Sequence, residues 1–209
     1  MAALLASAAV TGYLIVSGIG AAASARDPHI QQSKTTSGAN VTPGTPEPAR
    51  FPTEIFSQPF VDGREVASVA GASGQLAFHA NAPASLGAPV SVFVHADYRP
   101  QALALVYQHP TRGRFVVTEE QIDMSEDVQR QALETMASTC DPATGCVGSW
   151  TMHDLSNGNR ALLISDPPNV NAVVWIHSGG IRYQLMGPAG SFSVAAALAV
   201  ADVIERAAA

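Results

Sequence analysis

The side chains able to do chemistry are six histidines, two cysteines and a spread of serines and carboxylates. His79, His95, His153 and His177 fall at or near the ends of predicted strands, His109 in a turn, and His29 in a proline-rich stretch. No H-x-x-x-H, H-E-x-x-H or H-x-H spacing occurs, so no local metal site is written into the chain. Nucleophilic catalysis needs an activated Ser or Cys with a base in reach, and the G-x-S-x-G elbow is absent. The run His177-Ser178-Gly179-Gly180 has the composition of an oxyanion-holding glycine loop, but a hairpin turn is the simpler reading. There is no P-loop, and the carboxylates are too scattered to nominate an acid/base pair. No catalytic, cofactor-binding or metal-ligating residue is therefore nominated.

Cys140 and Cys146, the two cysteines of the chain, are separated by Asp-Pro-Ala-Thr-Gly, turn chemistry that can bring two sulfurs together. A disulfide is the leading reading. It would close a loop of about seven residues, worth on the order of 2 kcal/mol in the chain-entropy model, and would persist in an oxidising compartment. The C-x5-C spacing differs from the C-x-x-C of redox-catalytic sites.

The N-terminus supports the same compartment. No charged residue precedes Arg26, and residues 2–25 are long enough to span a bilayer as a helix, for which roughly 20 residues suffice. The segment ends in Ala23-Ser24-Ala25, a small-x-small pattern that a signal peptidase accepts, directly before Arg26-Asp27. Residues 1–25 thus read as a signal peptide or a transmembrane anchor. Arg26 and Lys34 follow the segment, which by the positive-inside rule would place the rest in the cytoplasm; the cysteine pair argues for export. Residues 26–59 carry Pro28, Pro43, Pro46, Pro48, Pro52 and Pro59 among Ser, Thr, Gln and Gly, the composition of a disordered linker. As a flexible coil it would reach roughly 30–35 Å. Asn40-Val41-Thr42 fits a glycosylation acceptor. With 13% charged residues, against roughly 25% in ordinary domains, and a net charge of −6, the chain lacks the basic footprint of a nucleic-acid binder.

Residues 60–209 read as one extracytoplasmic α+β domain, because the apolar period switches between two and about 3.6. Strands are predicted at residues 75–79, 90–95, 102–108, 114–119, 148–153, 160–165, 170–177 and 181–186. Asn157-Gly158 and Ser178-Gly179-Gly180 mark hairpin turns. One helix is predicted from Asp123, with Glu126 completing a capping-box-like start, Met124, Val128, Ala132 and Met136 as its stripe, and an outer Glu126–Arg130 pair. A last helix runs from about Phe192 to Arg206, with Val194, Leu198, Ala201 and Ile204 on its buried side. Trp150, Trp175 and Tyr183 on neighbouring strands are core residues or the lining of an apolar groove, since a helix laid across a curved antiparallel sheet leaves room for one.

The run from Val173 through Trp175, Gly179-Gly180, Tyr183 and Leu185 to Gly187, followed by Ser191 and a terminal amphipathic helix, resembles the ending of bacterial extracytoplasmic domains of the lipoprotein-carrier and sigma-factor-regulator type. Pro89 to His95, Leu105 to Gln108 and Phe115 to Thr118 are similar to the same pattern, so the resemblance spans residues 85–206. The chain departs from it by an inserted helix and cysteine pair and by having no cysteine near residue 25. The resemblance implies a curved antiparallel sheet with two helices and a noncatalytic binding or sensing module. Such a module would have an apolar ligand or an envelope protein as partner, and no cofactor. A secreted hydrolase with an unrecognised Ser/His site is the competing class.

Overall fold

In the computed structural model the described residues are Pro59 and residues 63–97, 99–140 and 146–208. The neutral segment 1–25 and the linker 26–59, Pro59 excepted, lie outside them, so their expected roles as anchor, signal and spacer are not addressed by the fold.

The elements follow in the order β1 (Arg64–Val66), α1 (Val69–Ser73), a 3-10 turn (Ala84–Leu86), β2 (Ser91–His95), β3 (Ala102–His109), β4 (Gly113–Gln121), α2 (Glu126–Thr139), β5 (Ser149–Asp154), β6 (Arg160–Asp166), β7 (Val170–His177), β8 (Ile181–Pro188) and α3 (Val194–Ala208). The fold is α+β: one eight-stranded antiparallel sheet in the order β1-β2-β3-β4-β8-β7-β6-β5, not closed into a barrel. Two meanders, β1 to β4 and β5 to β8, meet where β4 pairs with β8, with Val117 opposite Leu185 and Glu119 opposite Tyr183.

The alternation within each strand divides the sheet into two faces. On one face Leu103, Leu105, Phe115, Val117, Val173, Trp175, Tyr183 and Leu185 form the main core with Ala197, Val200, Ala201 and Ile204 of α3. Small residues on α3 let its backbone approach the aromatic floor, where Tyr107, Phe115 and Phe192 stack with ring centroids 5.1 and 5.0 Å apart. Each fully buried large side chain contributes roughly 1.5–3 kcal/mol. On the other face α2 packs across β5, β6 and β7. Every residue of β7 is buried, as a central strand covered on both sides requires.

Most predicted strands and both main helices form close to their expected places, and two expectations need correction. Residues 75–79 are not a strand; they belong to turns after α1. Leu76 and Phe78 pack against the core from this loop, and the Ala77 N–H donates to Gln101 Oε1 at 2.7 Å instead of to a ladder. The sheet takes its edge from β1 instead. α2 begins at Glu126 rather than Asp123, and Ser125 at its N-cap makes no side-chain cap bond. Its buried residues are Gln129 and Leu133, while Met124 and Val128 are 41% and 47% exposed. On β8, Arg182 and Gln184 occupy the face opposite Tyr183 and Leu185 and are buried on the α2 side, where Arg182 pairs with Glu120. The Glu126–Arg130 pair is present at 3.3 Å.

The step from α2 to β5 is closed by the Cys140–Cys146 disulfide, with Cα atoms 5.6 Å apart. Gly148 follows at φ +71°, and a Cβ there would lie 2.2 Å from the Ser165 carbonyl oxygen. The left-handed backbone alone costs a non-glycine residue roughly 1–2 kcal/mol, and the backbone clash adds to it. Gly148→Ala is therefore expected to lower the urea midpoint of unfolding by more than any exposed-site Ala substitution on α2, such as Gln131→Ala.

Candidate functional site

Where α3 ends over the β7–β8 hairpin, the core becomes polar. Glu205 is buried on the inner side of α3, one helical turn past Ala201 on the same stripe. Its carboxylate collects donors from three directions. Trp175 Nε1 donates to it at 2.7 Å, Asn157 and Asn159 Nδ2 at 2.8 and 3.1 Å, and His177 Nδ1 lies 3.0 Å from both oxygens. Because Nδ1 faces only carboxylate oxygens, that nitrogen carries the hydrogen. Burial alone would push the Glu205 carboxyl up; the hydrogen bonds from Asn157, His177, Asn159 and Trp175 together hold it below the usual carboxylate range. An ionised carboxylate thus ties α3 to the β5–β6 turn and to β7.

The ring plane of Trp175 stacks on Tyr183 at 5.0 Å, and His177 meets Tyr183 edge-on at 6.2 Å. Tyr183 stands opposite Glu119, which is fully buried on the same face. Both Glu119 oxygens accept from the Asn81 backbone N–H, at 3.1 and 3.0 Å, and Asn81 Nδ2 donates to the Ile204 carbonyl at 2.9 Å. Burial pushes the Glu119 carboxyl up to about 8 against the lowering effect of the Asn81 N–H. It pushes the Tyr107 and Tyr183 phenols above the ordinary tyrosine range, with Glu119 adding to both. Two buried carboxyls of opposite tendency therefore lie beneath one helix end: Glu205 ionised, Glu119 protonated at neutral pH.

The hairpin tip adds a second arrangement. Ser178 is exposed, and its Oγ lies 3.4 Å from His177 Nε2. Beyond it the N–H groups of Gly179 and Gly180 converge on Glu126 Oε1 at 2.8 and 3.0 Å. Read outward from the core, carboxylate, imidazole and hydroxyl form one chain, beside two N–H donors that already hold an anion.

Trp150, Trp175 and Tyr183 are not assembled into one groove. Trp175 and Tyr183 sit together in the core, 0% and 2% exposed. Trp150 is opposite Ile164 on the α2 face and borders an open depression of about 460 Å³ with Met152, Glu134, Ala137, Ser138 and Arg160. The space expected beneath α3 is filled by side chains, because Trp175 and Tyr183 stack flat and Phe192 closes on Phe115. Glu205 and Glu119 were not singled out from sequence. The signal was there: Glu205 continues the Ala197–Ala201 stripe, and Glu119 continues the Phe115–Val117 alternation.

Compared with family models, with curated proteins and with solved structures, the chain finds no match in any of the three.

Proposed function

We propose that the folded domain is a noncatalytic binding or sensing module that works outside the cytoplasm, tethered to the membrane or released, and that it regulates an envelope partner. In this reading the sheet curves around α3 as in the extracytoplasmic domains that the sequence resembles. The observation that supports the reading is the Cys140–Cys146 disulfide between α2 and β5, a bond retained where the redox poise is oxidising. Its support is consistent with the neutral leader that would carry the domain across a bilayer. The buried histidine and carboxylate are engaged in fixing α3 to the sheet, a structural use of groups that could otherwise serve turnover.

Fractionation of cells followed by alkylation of free thiols tests this reading. Recovery in the membrane or medium with both thiols blocked is expected; a cytosolic protein with two alkylated cysteines overturns it. Replacing both cysteines by serine is expected to cost about 2 kcal/mol, read as a lower urea midpoint with an unchanged slope.

One arrangement favours the second reading, a hydrolase: Ser178 Oγ, His177 Nε2 and Glu205 stand in the order that nucleophilic acyl transfer uses. Ser178 Oγ would attack an ester carbonyl while its proton passes to His177 Nε2 and then to the departing alcohol, and water would release the acyl group. A fluorophosphonate probe decides between the two. Labelling of Ser178 that is lost in His177→Ala and Glu205→Gln supports the hydrolase; no labelling of Ser178 supports the binding module.

A further inference from the structure

The two ends of the sheet are treated differently. β1 is three residues long and carries Arg64 and Glu65, so shortness and charge protect that edge from further pairing. β5 has six residues, no proline, and no Asp, Glu, Lys or Arg before Asp154.

Among the described residues, nothing pairs with the outer side of β5. The Leu155 N–H donates to the Asn159 carbonyl at 2.8 Å, which makes the pair at the base of the β5–β6 turn a hydrogen-bonded one. Antiparallel pairs alternate, so Thr151 with Leu163 and His153 with Ala161 are hydrogen-bonded too. The N–H and C=O groups of Trp150, Met152 and Asp154 therefore point away from the sheet. These three side chains share the α2 face, where Trp150 and Met152 border the open depression beside Ala137 and Ser138.

The outward residues are symmetric about Met152. A two-fold axis through Met152 sets Trp150 opposite Asp154 of a second copy, Met152 opposite itself and Thr151 opposite His153, using every outward group of the strand. An axis through Thr151 would set Asp154 opposite Gly148, which at φ +71° is not extended. With the axis through Met152, Asp154, 3.6 Å from Arg160 Nε, would face the indole of the second copy's Trp150, with Arg160 held on its other side by Glu134. We propose that β5 is a dimerisation edge, pairing antiparallel with β5 of a second copy about Met152 to join two sheets into one.

The test uses the full chain in detergent or native membranes. Sedimentation velocity is expected to give a dimer, and Met152→Cys is expected to form a covalent dimer with a short bismaleimide, whereas Gln131→Cys on the exposed side of α2 is not. Met152→Pro removes one outward N–H and no β5–β6 bond, a position where a strand tolerates proline; it is expected to raise the dimer dissociation constant roughly tenfold or more while its melting temperature, measured at dilutions where both proteins are monomers, stays near that of the parent. Met152→Lys, which sets two like charges at the axis, gives the same readout should the proline variant fail to fold. A monomer throughout the micromolar range overturns the proposal. So does a dimer that both variants retain, or one that links as readily through residue 131.

Discussion

Glu205→Ala is expected to be the most damaging single substitution in the domain. It leaves the Trp175 N–H, two asparagine amides and His177 Nδ1 without their shared acceptor. Removing one partner from a buried charged network costs about 3–5 kcal/mol, which for a folded unit of this size lowers the melting temperature by on the order of 10 °C. Trp175→Phe, which keeps a stacked ring and loses one bond to the ionised carboxylate, should cost about 1.5–3 kcal/mol. Glu205→Gln retains an acceptor oxygen and should fall between the two. The pH dependence has a definite sign. Glu205 is held below its unfolded value of 4.5, so its stabilisation is fully present above that pH and is lost as pH falls through the folded value. Melting curves from neutral pH to pH 3 should show the parent losing stability faster on acidification than Glu205→Gln. Parallel curves would overturn the assignment of the ionised state.

Glu119 should behave in the opposite sense. Its carboxyl is raised from 4.5 to about 8, so between those values the unfolded chain ionises at this position while the folded protein stays protonated. The unfolded state then binds fewer protons, and stability falls by about 1.4 kcal/mol per pH unit across the window. Glu119→Gln removes that dependence and keeps an oxygen to accept from the Asn81 N–H. The variant and the parent should melt together near pH 5, and by pH 8 the variant should be the more stable, by at most about 5 kcal/mol. A Glu119→Gln variant that tracks the parent across the range would show the carboxyl to be ionised in the fold.

The sheet was legible from sequence wherever one strand faced its neighbour through a recognisable turn. Asn157-Gly158 and Gly179-Gly180 supply the positive φ values that their hairpins need, at 84°, 90° and 74°, so β5 to β8 fall where the alternation places them. Residues 75–79 misled because Leu76 and Phe78 alternate like a strand, although what holds them is core packing from a loop and a side-chain acceptor on Gln101. The phase of α2 was misread because Met124 was counted as its first apolar contact; the helix starts two residues later, and its register follows from Leu133 below and from Glu126 accepting the Gly179 and Gly180 N–H groups. Trp175 and Tyr183 were found by residue type, but their carboxylate partners come from strands and helices far apart in the chain. Proximity of Glu119, Tyr183 and Glu205 is a product of the β4–β8 junction, which no local pattern encodes.

The placement of the chain's two tryptophans on opposite faces of one sheet makes the protein its own optical reporter. Trp175, sealed against Tyr183 and bonded to Glu205, should emit at short wavelength and shift to the red when α3 undocks. Trp150, half-buried at the sheet margin with its N–H on the Val147 carbonyl, should be reachable by iodide and respond to events at that margin alone. Single-tryptophan variants would let collisional quenching follow the two faces as separate signals in the same sample.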